Sequence, residues 1–557
     1  MQKLRAATCA LLATAAIAIA MPAVAKTPNA RPNIIVIVAD DLGFSDIGSF
    51  GSEIRTPNLD ALADNGLKLA NFHTTPVCSP TRAELLTGID HHQTGLGNFG
   101  ELLQPNQKGK PGYEGYLNDR VVTVAEVLKD HGYKTLLSGK WHLGYDPRAN
   151  PANRGFERSF AMLGGGHNHF GRDVKVKLSM PNVGVVYTQD GSEVGIPKDF
   201  YSSDYFTDKV IEFLPDRKQD QRPFFAYLSF TAPHDPLQAP AEDIERYKGR
   251  YDEGYEANRQ KRLSRLQELG LVPAGVEPHD FSALKPWSEL SEEERRIEAR
   301  KMEVYAGMVD RLDQNIGKLV QVLKQRGEYD NTIFLFLSDN GAEGRDITWS
   351  VIPEIAEAGK KQVARSDNSL ESMGSARSFI WRGSNWAEAA TAPSRLTKSF
   401  PTEGGTRVVA FVSFPGGKMR QGVSHTYMSV RDVMPTLLDY SGAKAPVGTW
   451  KGKPVIPLQG RSLTKDFAPG AVDRDNADVV ASGEMFGRRY TRSGHWKAVH
   501  IPPPSGPGRW ELFNVVEDPG EVHDLADKHP DILARLIAQW DQYAKDNGVV
   551  MPEIAGN

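Results

Sequence analysis

Two short polar pairs stand out because each follows an apolar run. Asp40-Asp41 ends residues 33–38 (NIIVIV), and Asp339-Asn340 ends residues 332–337 (TIFLFL). Together they offer only oxygen donors, which suits a hard cation such as Ca2+ or Mg2+ and not a metal that seeks thiolate or imidazole. Either pair alone reads equally well as a turn, because Asp and Asn side chains bond their own backbone. A second feature is Pro76-Val77-Cys78-Ser79-Pro80-Thr81-Arg82, continuing from Ala83 to Thr87. Proline in the first turn predicts a helix start, and Cys78 then sits at an N-terminus whose free N–H groups and dipole favour a negative ligand. Arg82, one turn on, can point its guanidinium back to the same place, so an oxyanion is the natural occupant.

These groups need a scaffold that brings distant segments together. Four β-rich runs stop abruptly near polar residues: 33–38 at Asp40-Asp41, 134–138 (KTLLS) at Lys140-Trp141-His142, 224–230 (FFAYLSF) before His234, and 332–337 at Asp339-Asn340-Gly341. They alternate with helix-like segments, which predicts an α/β fold: a large, mostly parallel mixed sheet flanked by helices. Ligands in open α/β sheets bind beyond the carboxyl ends of the strands, so the four clusters are expected to converge on one edge. Thr56 is a candidate cap for a helix opened by Pro57 and running to Gly66. Val304, Met308, Leu312, Ile316, Leu319 and Leu323 recur at helical spacing and read as core packing within 302–327. Residues 241–300 read as a charged, solvated helical excursion, and 344–401 as long loops near the active edge. A strand near 407–414, a helix near 430–440, then short Pro/Gly-punctuated segments and an amphipathic helix near 530–545 complete the chain. The expected organisation is a main domain over 26–445 and a smaller C-terminal α+β domain over 446–557, with an antiparallel sheet and a helix.

Composition narrows the partners. With 40% hydrophobic and 24% charged residues the 557-residue chain is ordinary for a soluble enzyme, and a net charge of -4 provides no basic footprint for nucleic acid. Lys3 and Arg5, an Ala/Leu/Ile stretch over 6–20 and Ala23-Val24-Ala25 read as a secretory signal over 1–25, the mature chain starting near Lys26. The apolar run falls short of the roughly 20 residues that span a bilayer, so no membrane association is expected after cleavage. The expectation is an exported monomer, periplasmic or secreted. Cys9 leaves with the signal, which makes Cys78 the only cysteine and excludes an intrachain disulfide. A lone thiol in an oxidising compartment is either buried and inert or chemically special; the residues flanking Cys78 favour the second.

Cys78-Ser79-Pro80-Thr81-Arg82 with Leu86-Thr87-Gly88 resembles the sulfatase signature, in which the cysteine becomes formylglycine, and residues 132–142 (GYKTLLSGKWH) resemble the second sulfatase signature. The resemblance extends through Asp40-Asp41, Ala232-Pro233-His234, Asp339-Asn340-Gly341 and 391–398 (TAPSRLTK), and is strongest to bacterial arylsulfatases. Ile89 departs from it where many sulfatases carry arginine, and Thr81 where serine is common; neither removes a group assigned to chemistry. It implies an alkaline-phosphatase-like fold that hydrolyses sulfate monoesters, aryl sulfates first. One hydroxyl of a formylglycine gem-diol attacks sulfur to give a sulfated enzyme intermediate, and the other later loses its proton to expel sulfate. It implies calcium held by Asp40, Asp41, Asp339, Asn340 and converted Cys78, with Asp339 also helping to deprotonate the attacking hydroxyl. Arg82 and Lys140 would hold the formylglycine and sulfuryl oxygens, His142 would be the base for sulfate release, and His234 and Lys398 would bind the ester and protonate the leaving alcohol. A formylglycine-generating maturation enzyme is then a required partner. His91, His92, His167 and His169 lie in Gly-rich surroundings and are candidate liners of the substrate mouth. Two rivals stay open: a phosphodiester or phosphonate ester hydrolase on the same scaffold, and a non-catalytic exported anion-binding protein whose Cys78 remains a thiol.

Overall fold

Apolar residues on both faces leave the central strands no solvent side: Asn33–Ala39, Phe224–Ser229 and Thr332–Ser338 are buried along their whole length. Strands of that kind are stable only where helices cover both faces of a sheet. The computed structural model describes residues 31–172, 185–282, 285–350 and 353–553, and the expected signal segment lies outside them. Ten strands form one mixed sheet, in the order Gly422–Ser424, Leu67–Leu69, Ala410–Ser413, Thr332–Ser338, Asn33–Ala39, Phe224–Ser229, Lys134–Lys140, Arg158–Met162, Tyr187–Gln189 and Ser192–Val194. The five strands from Thr332–Ser338 to Arg158–Met162 run parallel, and the neighbours on either side of them are antiparallel. Thr332–Ser338, Asn33–Ala39, Phe224–Ser229 and Lys134–Lys140 are adjacent, so their carboxyl ends make one continuous row.

Alternate residues of each strand serve different cores, as the period of two demands. Ile35 and Ile37 pack with Leu312, Ile316 and Phe334, while Ile34, Val36 and Val38 pack with Leu85, Leu86 and Leu128. The helical stripe over 302–327 belongs to a longer helix, Glu292–Gln325. It starts earlier because Ser291 and Glu294 form a reciprocal capping box: the Ser291 hydroxyl accepts from the Glu294 N–H at 3.2 Å, and the Glu294 carboxylate accepts from the Ser291 N–H at 2.7 Å.

Three expectations need correction. Helix Pro57–Asp64 forms, but Thr56 does not cap it: its hydroxyl accepts from the Gly48 N–H at 2.7 Å and donates to Asp60 at 3.1 Å. Residues 241–300 are no solvated excursion. Tyr247, Tyr251, Tyr255, Leu263 and Leu266 enter the main core, and buried Arg262 pairs with Asp46 and with Glu53. High charge content hid the apolar face of helix Tyr255–Glu268. The stretch 344–401 is not only loop, since it holds helices Pro353–Ala364 and Ser384–Thr391, the second built around buried Trp386.

Toward the C-terminus, Val480–Met485, Arg488–Ser493, Trp496–His500 and Trp510–Asn514 form a four-stranded antiparallel sheet, covered by helix Pro530–Asn547 through Leu536 and Trp540. Buried ionic contacts fasten this sheet and helix to the larger one. His92 lies between two carboxylates, Asp90 at 3.0 Å from Nδ1 and Glu484 at 3.2 Å from Nε2, and Tyr543 of the last helix donates to Asp90 at 2.8 Å. Burial opposes the imidazolium, but the two carboxylates outweigh it and raise His92 from 6.5 to about 9. Because the folded value lies above the unfolded one, the stabilisation is complete below pH 6.5 and fades as pH rises through about 9. Replacing His92 by Gln should therefore cost on the order of 2–3 kcal/mol at pH 6 and much less at pH 10, read as the shift in denaturant midpoint. A deficit that does not change with pH would show that His92 is not held charged.

Candidate active site

Helix Cys78–Thr87 begins at Cys78 itself. Val77 before it is extended, at φ -150°, and provides no side-chain cap, so no cap claims the first-turn N–H groups. Every residue of this helix is buried. From its second turn the Arg82 guanidinium donates through Nε and Nη2 to Asp339 Oδ2 at 2.9 and 2.6 Å, and through Nη1 to the Lys140 carbonyl at 3.1 Å and the Ser229 hydroxyl. One side chain thus ties the helix to the carboxyl ends of three strands. Lys140 donates to Asp40 at 2.7 Å, Lys398 to Asp41 at 2.9 Å, and the Asn340 amide to Asp41 at 2.6 Å. Asp41 sits in the left-handed region at φ 69°, with its N–H donating to Asp339 at 3.2 Å. One potential ligand atom from each of Asp40, Asp41, Cys78 and Asp339 lies within 4.8 Å of all the others.

Three aspartates packed this closely repel one another, and Arg82, Lys140 and Lys398 offset them. Burial raises Asp40, and Asp339 and Asp41 add to the rise against Lys140. At Asp339 burial is outweighed by Arg82, Lys140 and Lys398, which hold the carboxyl low. Burial works against the charge on Lys398, yet Asp41 and Glu343 keep it well above its ordinary value. The Cys78 thiol is pushed up to about 12, chiefly by burial, so at neutral pH it stands here as a neutral thiol.

The donor set can be tested against a metal. Among the described residues Asp40 Oδ1 and Asn340 Oδ1 are buried without a hydrogen-bond partner, Arg82 Nη2 lying 3.7 Å from the former. Leaving a buried oxygen unpaired costs about 1–3 kcal/mol, and both orphans belong to the oxygen cluster. Asp40, Asp41, Asp339 and Asn340 therefore fit a hard divalent cation. The Cys78 sulfur is the one donor in the group that does not.

Two histidines flank the cluster. His142, at φ 53°, has Nε2 3.3 Å from Glu101 Oε1, while its Nδ1 is buried and unpartnered. Burial lowers His142, with Lys140 and Arg82 adding to the effect, so the ring is neutral; an Nε2–H shared with Glu101 leaves the lone pair on Nδ1. His234 lies 3.6 Å from Asp41 through Nε2 and donates from Nδ1 to the Asp235 carbonyl at 2.6 Å. Burial and the charge of Lys398 lower it well below its ordinary value. Gly165 and Gly166 pack on the two rings: a Cβ at 165 would fall 2.7 Å from His142 Cε1, and one at 166 would fall 3.3 Å from His234 Cε1.

Cys78, Arg82, Lys140, Lys398, Asp40, Asp41, Asp339 and Asn340 are thus one connected cluster, with His234 beside Asp41 and His142 close to Lys140. The other four histidines do not line a mouth. All are buried: His169 bonds the His234 carbonyl at 2.9 Å, His167 bonds Thr231 at 2.8 Å, and His91 and His92 lie in the clamp to the C-terminal sheet. Two residues escaped the sequence reading. Glu343, 3.2 Å from Lys398, follows Asn340 by three positions and could have been noticed there. Glu101 carries no local motif at all.

The sulfatase family model matches residues 32–443. An uncharacterized sulfatase of Schizosaccharomyces pombe is 46% identical over 534 residues, covering 94% of this chain and 95% of the relative. An arylsulfatase of Klebsiella aerogenes is 40% identical over 436 residues, covering 78% of this chain and 91% of the relative. Among solved structures, that of Ps i-CgsB in complex with k-i-k-neocarrahexaose superposes with a TM-score of 0.64 at 25% identity, covering 95% of each chain.

The fit of Gly165 against His142 gives a structural test. Gly165→Ala should leave the melting temperature within a few degrees, since Gly165 needs no positive φ and the added Cβ meets only the end of one side chain, but must displace the ring, visible as a shifted His142 resonance in protein labelled at histidine. An unmoved resonance would contradict this packing.

Proposed function

The chain belongs to the sulfatase family, within the alkaline-phosphatase-like superfamily, and is a sulfuric ester hydrolase; from that premise we propose that it acts on aryl sulfates, with Cys78 converted to formylglycine and one calcium ion beside it. The observation that carries the reading is the buried volume shared by position 78, four oxygen-donor side chains and three cations. A neutral thiol has no task there, whereas a hydrated aldehyde would put two hydroxyls in its place. The similarity to an arylsulfatase supports aryl esters as the first substrates to try. The same reading has residues 1–25 direct export, to the periplasm or the medium.

Calcium, when bound by Asp40, Asp41, Asp339 and Asn340, would neutralise the carboxylates and lower the pKa of a hydroxyl at position 78. Arg82 and Lys140 orient the oxygens at position 78 and those of the sulfuryl group, where negative charge gathers as the ester bond breaks. Asp339, which Arg82 keeps ionised and so able to accept, takes part in removing the proton of the attacking hydroxyl. Lys398 holds its proton through Asp41 and Glu343 and gives it to the departing alcohol oxygen. His234 has committed its Nδ1–H to the Asp235 carbonyl, so Nε2 can donate to the ester only once an adjacent anion has drawn a second proton onto the ring. His142, neutral and with Nδ1 free of partners, accepts the proton released as inorganic sulfate leaves.

The nucleophile is tested by mass and by mutation together. The peptide containing residue 78 should be about 18 mass units lighter than the thiol form, and Cys78→Ala should lower aryl sulfate turnover by roughly a thousandfold or more at an unchanged melting temperature. A peptide found entirely as thiol in material that turns over aryl sulfate would overturn the nucleophile, and faster turnover of aryl phosphate or phosphonate esters would overturn the substrate. For the metal, exhaustive chelation should abolish turnover and lower the melting temperature, and calcium should restore both better than zinc. Indifference to chelation in either measurement would count against it.

A further inference from the structure

Beside the cluster lies a cavity of about 360 Å³ that reaches His142 and Ser79, the residue after Cys78. Its wall contains three carboxylates, Glu101, Glu114 and Asp146, together with Tyr116, and among the described residues no lysine or arginine. Two of the acids are balanced from outside the wall, Glu114 by Arg120 at 3.3 Å and Asp146 by Arg148 at 2.9 Å. Glu101 has no such guanidinium: among the described residues its close side-chain partner is the neutral His142 at 3.3 Å. Burial opposes the Glu101 charge, but the hydrogen bond from His142, with the more distant charge of Lys140 adding to it, outweighs burial and holds the carboxyl below its ordinary value, while His142 itself stays neutral.

We propose that this cavity receives the far end of the alcohol half of the ester, beyond the ester oxygen that Lys398 and His234 meet, and that Glu101 makes it reject alcohols bearing a further anionic group. The proposal rests on the aryl sulfate reading above and adds the class of substrate. The cavity is large enough for a substituted ring, since small-molecule sites begin near 300 Å³, and Tyr116 supplies an aromatic surface. Its charge is the opposite of what a polyanion requires: a second sulfate or carboxylate on the alcohol would meet an ionised glutamate with no cation among the described residues of the wall to answer it. Neutral or cationic singly sulfated esters are therefore favoured over polysulfated chains. Glu101 is a specificity-determining residue here, and by holding Nε2 of His142 also a positioning one.

The test is kcat/KM for a neutral aryl sulfate and for one carrying a para-carboxylate, measured on the calcium-loaded, formylglycine-containing protein and on its Glu101→Gln variant. Dividing one variant's ratio by the other's cancels the intrinsic reactivity of the two esters. The preference for the neutral ester should fall by roughly tenfold in Glu101→Gln, whatever happens to the overall rate through His142. The native protein provides a second reading that needs no variant, because its preference should shrink as salt rises from about 0.01 to 1 M and the screening length drops from roughly 30 to 3 Å. An equal preference in both proteins, or one indifferent to salt, overturns the inference while leaving the aryl sulfate reading intact. Turnover of neither ester overturns the aryl sulfate reading, and this inference with it.

Discussion

Everything at this site depends on keeping three carboxylates side by side in a place without water. Two unit charges 4 Å apart repel by about 4 kcal/mol at the effective dielectric of a protein near its surface, and Asp40, Asp41 and Asp339 offer potential ligand atoms at about that spacing. Arg82 makes the arrangement possible. Its fork holds Asp339, and its remaining nitrogen reaches the ends of two further strands, so the charge that offsets the aspartates also sets the spacing of the strand ends. A planar, always-charged guanidinium can do this, and a lysine ammonium could not reach three partners in fixed directions. Removing such a partner typically costs 3–5 kcal/mol because the opposite charge is left buried alone.

The C-terminal sheet contributes to the same site from behind. Lys497, buried on strand Trp496–His500, donates to Glu403 at 2.8 Å and lies 3.0 Å from Glu521. Glu403 begins a short turn of helix whose Gly404 and Gly405 press on the loop after Thr332–Ser338. The Gly341 N–H donates to Gly405 at 3.0 Å, and a Cβ at 341 would fall 1.9 Å from the Gly404 carbonyl oxygen. The segment leading into it carries Lys398, whose N–H donates to the Ala342 carbonyl at 3.0 Å, while that of Ser399 donates to the Pro76 carbonyl at 2.8 Å. A buried ion pair on the small sheet thus fixes the backbone that presents Asp339, Asn340, Lys398 and the approach to Cys78.

The row of strand ends was legible because parallel strands buried on both faces leave a plain trace: continuous Ile, Val, Leu and Phe, then an abrupt polar stop, as at 33–41 and 332–340. Cys78 and Arg82 were legible for a local reason, a helix start with a cation one turn on. What stayed hidden was whatever depends on partners far away in sequence. Glu101 meets His142 across 41 positions with no pattern around it, and Glu343 matters only through its contact with Lys398. The misreading of 241–300 has a related cause. Arg262 counts as surface charge in any composition, yet Asp46 and Glu53, more than two hundred residues away, let it be buried. The same holds for His92, whose Gly-rich neighbourhood suggested a mouth and whose carboxylate partner Glu484 lies 392 positions on.

The protonation states are set by neighbours and not by residue type, and this decides how the proposed chemistry is divided. Lys398 faces Asp41 and Glu343 and keeps its proton, whereas the two histidines are buried near cations and lose theirs. The histidines differ in turn by where each spends a ring nitrogen. A carboxylate takes Nε2–H of His142 and leaves Nδ1 as a bare acceptor, while a backbone carbonyl takes Nδ1–H of His234 and leaves Nε2 toward Asp41. An acid and a base can then coexist at one pH within one small volume, because each has been assigned its proton by a different second partner. The thiol at position 78 is the exception. Burial leaves it neutral among groups that are otherwise charged or poised, and an oxygen nucleophile there would meet cations and proton acceptors already in place.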